Sequence, residues 1–434
     1  MCFWYALVRF SQHLDWVCAD MVADAAPSSQ SRINGKRLQA LVRKQQRESG
    51  GLELPHASRT CTVPVIPESP TNFLLDRIPE VTTSVLKNLN SHPRDVSLKF
   101  TAVSHTYWIN GERTRGSVTG LVHEFANKFD ADVIIPLMMN GSRWPRPGYL
   151  QLPPSAGIME QLSVHSQARY LVDLISGCPC NEIAICAEAL RLCSEMPSLR
   201  DLVCQLALTT EQIKLIWDNN RIEAGNRGTF MHLTFELFLN CSPISFYSVE
   251  LELFMRYLLT LPQLTAYRTE WCIWASDERL AGSIDFVARR IDGQLVLYDW
   301  KRSKRLSSKY SNHWRHMSGP LEHLEDCAGI HYRLQLNAYK WILERYYGVI
   351  VASMHVVCTH PELHEAGAFV DNVPDMSSEI DAIMVHQRLL AAESHASTQN
   401  HESTLQGTMQ IQTIASVCPQ EIDEIDLIDL SISR

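Results

Sequence analysis

The sequence predicts an α/β fold in which strands of a mixed sheet alternate with helices, and three observations carry that expectation. Two short β-type runs, Leu280 to Val287 and Gln294 to Trp300, are joined by Ile291-Asp292-Gly293, a hairpin turn signal. An apolar run from Val349 to Val357 reads as a buried strand. Apolar residues recur with helical period around Met231 and over Ala328 to Tyr346.

The remaining segments can be taken in order. Met1 to about Ala23 has an amphipathic helical pattern, and Ala25 to Leu98 is mixed, so residues 1–99 read as a poorly defined region. Its basic group, Arg32, Lys36, Arg37, Arg43, Lys44 and Arg47, reads as a solvated helix face before it reads as a DNA-touching arm. Thr106 to Ile109 alternates as a strand does and Asn110-Gly111 makes a turn. Ser117 or Thr119 then caps a helix over Leu121 to Ala126. A proline-rich stretch, Pro145 to Pro154, leads into helical periodicity over Gln161–Ile175 and Glu182–Leu192, which marks about 139–206 as a helical insertion. Thr209 to Gln212 starts another helix with cap-like residues, and Ala224 to Thr229 separates it from the helix around Met231. Tyr267 to Trp274 reads as a strand and Asp375 to Ala392 as a last helix. Ser394 to Arg434 reads as an acidic, disordered tail, its six acids facing Arg434 alone. Its alternating acidic and apolar end suits pairing with a partner strand or folding over a basic cleft, with a solvated tail as the default.

Composition bounds the function. The chain has 434 residues, room for one large domain with additions or for two. A net charge of −9 is unexpected for a polyanion-binding protein, although local basic patches can still steer polyanions. No apolar run approaches the roughly 18 residues of a membrane span. Met1 to Arg9 is apolar but lacks a basic start, so it is not read as a signal peptide. Thirteen cysteines without a regular framework suit a reducing, intracellular compartment and argue against secretion. Cys178, Cys180, Cys186 and Cys193 form the dense group; Cys186 and Cys193, seven apart in a helical pattern, suit buried thiols, and core packing is a better reading there than zinc.

The chemistry concentrates on the predicted hairpin. Asp285 falls in its first strand, and Asp299 and Lys301, two apart and so on one face, end the second. Two carboxylates and an ammonium in one cleft suit metal-dependent phosphodiester hydrolysis. Hard oxygen ligands hold the cation that activates water, and the lysine neutralises charge developing on phosphorus. A D-x-K hairpin alone is more often structural, so its surroundings decide. His232 and Glu236 are four apart on one helix face, Glu270 lies in a strand, and Gln335 and Tyr339 are four apart on another helix. Beyond Lys301, Arg302, Lys304, Arg305, Lys309 and Arg315 follow without an intervening acid, interleaved with Tyr310, His313 and Trp314. That loop is better read as a phosphate contact, with aromatics available to stack on bases, than as a merely solvated segment.

Taken in order, G-T-x-x-H-x-x-x-E, then E, G-x-I-D, D-x-K and Q-x-x-x-Y, the chain resembles the RecB-like branch of the PD-(D/E)XK nuclease superfamily, including its phage- and viral-type exonucleases. The resemblance spans about 100–393 and is dense from Arg227 to Tyr347. It implies a restriction-endonuclease-like core, a mixed four- to five-stranded sheet flanked by helices, with helical additions. It also implies Mg²⁺ or Mn²⁺ bound by Asp285 and Asp299, with His232 and the Trp300 carbonyl as further ligands. Lys301 then positions or deprotonates the attacking water. Glu236 supports a ligand, and Glu270 either orients one, binds a second ion or is a surface carboxylate. Gln335 and Tyr339 contact DNA or support the lysine, and Arg302, Lys304 and Arg305 hold phosphates. An iron–sulfur cluster is not expected, since Cys358 and Cys418 alone follow the Gln–Tyr motif.

The implied activity is deoxyribonuclease action, exonucleolytic on single strands or duplex ends, in repair, recombination or replication. That places it in the cytoplasm, or in the nucleus or mitochondrion of a eukaryote, with no membrane partner. No helicase P-loop occurs, so unwinding falls to a helicase or another repair or replication partner. A catalytically silent nucleic-acid-binding protein, an endonuclease and a ribonuclease stay as alternatives.

Overall fold

A computed structural model describes residues 84–402, save 102–103, 243, 245–246 and 262–263, with side chains through residue 390. The expected N-terminal helix, the basic group at 32–47 and the tail beyond 402 lie outside the described residues. The architecture is mixed α/β with two sheets. In chain order, α1 (Val85–Leu89) precedes β1 (Leu98–Thr101), β2 (Thr106–Ile109) and β3 (Glu112–Arg113), which form a small antiparallel sheet. Asn110 and Gly111, both with positive φ, make the β2–β3 turn that Asn-Gly favours. A two-residue β4 (Gly116–Ser117) follows, and the Ser117 hydroxyl caps α2 (Val118–Glu124) by accepting from the Gly120 amide at 3.0 Å.

Next comes α3 (Ala131–Asn140), then α4 (Ala156–Val164), α5 (Arg169–Gly177), α6 (Glu182–Glu195) and α7 (Arg200–Cys204). The last four enclose a hydrophobic cluster of their own, built on Leu162, Leu171, Ile185, Leu192 and Val203. Gln151 donates to the Leu206 carbonyl at 2.7 Å and Leu208 to the Tyr149 carbonyl at 2.9 Å, so the chain enters and leaves this helical lobe at one place.

One helix, α8 (Thr210–Leu239), replaces the two expected there. Glycine costs about 1 kcal/mol against alanine inside a helix. Burial at both ends offsets that cost. Ile213 and Trp217 pack with Ile135 and Trp144, and Phe235 stacks on Phe254 at 4.0 Å between ring centres. Helix α9 (Val249–Leu258) carries Phe254 and leads to the main sheet.

That sheet is built from β5 (Thr265–Ala275), β6 (Leu280–Arg289) and β7 (Leu295–Lys301), then α10 (Ala328–Tyr346), β8 (Val351–Cys358) and β9 (Phe369–Asn372). Strand β6 is central. β5 runs antiparallel along one edge, while β7 (at 286–289) and β4 (at 280–281) share the other. β7 and β8 are parallel and need a crossover, which α10 supplies. The core lies between this sheet and α2, α10 and α11 (Ser377–Glu402), filled by residues such as Trp271, Ile284, Leu297, Leu336, Ile342 and Ile383.

Two boundaries differ from the expectation. Residues 84–97 belong to the core: the Leu86 amide donates to Asn240 Oδ1 at 2.9 Å, and the Arg94 guanidinium lies 3.6 Å over the Trp274 ring. Their polar composition hid this, because the contacts are made to side chains far along the chain. Helix α11 continues through the start of the expected tail to Glu402, where Ala391, Ala392 and Ala396 favour helix among polar neighbours. Among the described residues no helix is long and apolar enough to cross a membrane.

Candidate active site

The site opens where β6 and β7 part. Their ladder ends at Phe286 and Tyr298, and beyond it the Trp300 amide, no longer paired to β6 although β7 still pairs with β8, donates to Asp285 Oδ2 at 2.7 Å. That single bond fixes Asp285 at the mouth of the splay. On β7, Asp299 is only 2% exposed, and its Oδ2 sits 3.2 Å from Lys301 Nζ. The distance is that of an ion pair, yet Asp299 Oδ2 accepts no aimed hydrogen bond. The Lys301 ammonium also lies 4.5 Å from the centre of the Tyr332 ring.

Helix α8 contributes His232, whose Nδ1 is 3.6 Å from Asp285 Oδ2 and 3.8 Å from Glu270 Oε1. Glu270 comes from β5, where the neighbouring pairs Thr269–Phe286 and Trp271–Ile284 place it opposite Asp285. Its φ of +41° is a left-handed conformation inside a strand, strained for a residue with a side chain. Ser283 Oγ donates to Glu270 Oε2 at 3.0 Å.

Electrostatics matches this crowding. Burial raises the Asp285 carboxyl above its usual range, against the pull of His232. Burial lifts Asp299 to about 6, with Lys301 opposing and Asp285 adding to the rise. Burial and the Glu270 charge push Glu236 up to about 8. For His232 burial acts downward, but Asp285 and Glu270 outweigh it and raise the imidazole to about 9. Cation-free, the cluster thus keeps its protons to higher pH than separate groups would, because the carboxylates are buried and repel one another.

One atom each from His232, Glu270 and Asp285 lies within 4.8 Å of the other two. One imidazole nitrogen and two carboxylate oxygens form a donor set that fits a divalent cation. The buried Asp299 carboxylate beside them, paired with Lys301 but without an aimed hydrogen bond at Oδ2, fits a site built for added positive charge. The set differs from the one expected. Glu270, read as orienting a ligand, binding a second ion or being a surface carboxylate, stands among the donors, while Asp299 lies outside the set beside Lys301. At Trp300 the contact shown is made by the amide, through Asp285. The reason is the splay together with the strained turn of Glu270, neither of which spacing along the chain reveals.

Other expected residues also find places. Gln335 Nε2 donates to Tyr339 Oη at 3.1 Å, and both side chains are buried, so they support the strands and do not face solvent. Gly282 makes that possible, since a Cβ there would stand 2.6 Å from Tyr339 Cε1. Arg302 Nε donates to Glu250 Oε1 at 2.9 Å and Lys304 Nζ to Glu362 Oε1 at 3.2 Å, so both have acid partners already; Arg305 is exposed. Sequence reasoning missed Tyr332, although its spacing of three from Gln335 puts it on the same face of α10. It also missed His331, whose Nε2 is 2.7 Å from Asp326 Oδ1 and whose ring meets that of His123 edge-on at 5.6 Å.

No family model matches the chain, and no curated protein matches it. Among solved structures, a chain titled "Crystal structure of SSO0001" is 15% identical over 54% of this chain and 82% of that chain, with a TM-score of 0.21.

Proposed function

We propose that this protein is a divalent-metal-dependent deoxyribonuclease built on a restriction-endonuclease-like core. The observation that carries the reading is the splay of β6 and β7, which gathers Asp285, Asp299, Lys301, His232 and Glu270 from three strands and one helix. His232, Glu270 and Asp285 would hold Mg²⁺ or Mn²⁺. Bound there, the cation supplies Lewis acidity toward water and toward a phosphoryl oxygen. Asp285 is oriented by the Trp300 amide. Asp299 holds the Lys301 ammonium in place, and the Tyr332 ring face favours its charged form. Lys301 donates hydrogen bonds to the phosphate oxygens, whose negative charge grows as the nucleophile adds. The Tyr339–Gln335 pair keeps β6 seated, and with it Asp285. Action on strand ends, and a partner that opens duplex, belong to the same proposal.

The test is cleavage of end-labelled single- and double-stranded DNA, linear and circular, with Mg²⁺ or Mn²⁺. Wild type should cut only with metal, spare circles, and lose about 10²- to 10³-fold in rate as Lys301→Ala, the usual scale for one donor to developing charge. Folded wild-type protein that cuts no DNA with either ion would sink the proposal.

A further inference from the structure

The loop after Lys301 ends in a feature that phosphate hydrolysis does not use. Trp314 is 80% exposed. It sits on a turn braced at several points: Arg315 donates to the Asn312 carbonyl at 3.1 Å, Asp326 to the Arg315 carbonyl at 2.8 Å, and Asn312 Nδ2 to the Asp326 carbonyl at 2.8 Å. Asn127 Nδ2 reaches across to the His316 carbonyl at 2.8 Å. Before the turn, the Tyr310 ring lies against Gly329; after it, Met317 is buried and donates to the Leu324 carbonyl at 3.0 Å. The indole is therefore presented by an ordered turn whose backbone is tied down on both sides. Binding to it loses little loop entropy.

Its neighbours say what it would receive. Ser311, His313, Arg315, His316 and Ser318 are all exposed and polar, so Trp314 is a single aromatic face in a hydrophilic, partly cationic setting. A protein-docking surface would need an apolar patch around it. The turn also borders the candidate active site. Asp326 links it to His331, and the next residue along α10 is Tyr332, which holds the Lys301 ammonium.

We propose that Trp314 is a stacking platform for an unpaired nucleobase of single-stranded DNA, with Arg315 placed to meet the adjoining phosphate. The proposal rests on the nuclease reading and deepens it, since bases inside a duplex are stacked on both sides and only its terminal pairs offer a free face to an indole. Stacking is tolerant of sequence because every base has a π-face, so the platform selects strandedness and not sequence.

The experiment measures the affinity of metal-free, full-length protein for a fluorescent single-stranded oligo-dT and for a duplex of equal length closed by a non-nucleotide hairpin loop at each end, which leaves no open terminal pair, using wild type, Trp314→Ala and Trp314→Phe. Expected is a loss of about ten-fold for the single strand in Trp314→Ala, recovery in Trp314→Phe, and under about two-fold change for duplex. Equal single-strand affinity in wild type and Trp314→Ala, or equal losses on both DNAs, overturns the platform. If wild type still cuts DNA with metal in that case, the nuclease reading stands without it. If metal-free wild type binds neither DNA, the platform falls, and cleavage with metal decides the nuclease reading separately. A change of oligomeric state in Trp314→Ala with unchanged single-strand affinity assigns the indole to a protein contact and overturns the nucleobase proposal.

Discussion

Around the β5–β6 ribbon, buried acids are handled in two opposite ways. Away from the splay, Asp95 and Glu278 have their donors. Asp95 accepts from Arg268 Nη1 at 2.9 Å, Trp271 Nε1 at 3.1 Å and the His92 amide at 3.0 Å. Burial pushes Asp95 up, yet Arg268 and those donors hold it below the usual carboxylate range. Glu278, fully buried, accepts from Arg388 Nε at 3.0 Å and from Tyr346 Oη at 2.7 Å. At the splay, Glu270, Asp285 and Asp299 crowd one another with a shared imidazole and one lysine, and the two aspartates sit above their usual range. The fold plainly can satisfy a buried acid. Where it leaves three in mutual repulsion and strains the backbone of one, stability has been given up for a local charge that a cation can meet.

Four experiments break or sharpen that contrast. The largest effect is expected from Asp95→Ala, which strands the buried Arg268 guanidinium and should destabilise the protein by about 3–5 kcal/mol; Asp299→Asn should leave metal-free stability unchanged or raised. Urea midpoints of the two variants decide it, and equal losses would erase the distinction. Next, Mn²⁺ at about a hundredfold its dissociation constant should stabilise wild type by about 2.7 kcal/mol. Asp285→Asn should lose this gain, and an unchanged gain would move the cation elsewhere.

Gly282→Ala should cost about 1–3 kcal/mol, because its methyl group must displace the Tyr339 ring or the strand. Cleavage should fall with it, as Asp285 is only three residues away. The smallest effect is on pH dependence. Glu236 and His232 are raised to about 8 and about 9, so the folded, metal-free state binds more protons than the unfolded chain between their ordinary values and these. The stability these two groups contribute is therefore lost as pH rises from 7 to 9, above the range in which the histidines held below their ordinary value, such as His123, titrate. Glu236→Gln should flatten the decline, read from urea midpoints in EDTA. Asp95 runs the other way: its contribution is present above its ordinary value and is lost on acidification below it.

Much of this frame was legible along the chain. Period-2 and period-3.6 patterns identified β6, β7, β8 and α10 because each buries one face or two against the same core. The Asp-Gly turn and the D-x-K spacing announced that Asp285, Asp299 and Lys301 would meet, since antiparallel neighbours and i,i+2 positions are short-range facts. Local chemistry likewise announced the Ser117 cap.

What lay beyond the sequence depended on partners distant in the chain. Glu270 stays open between three roles along the chain, until its own left-handed backbone in β5 sets it opposite Asp285. Arg302 and Lys304 read as free cations until Glu250 and Glu362 arrive from elements some fifty residues away. The glycines of α8 suggested a break that burial at both ends of the helix overrides. Composition and periodicity determined which segments are strands and helices and which titratable groups lie near the hairpin. Only the tertiary structure decided which of those groups neutralise one another and which are left crowded with like charge. Pairing a buried charge depends on a few ångströms of through-space distance, and separation along the chain does not encode that distance.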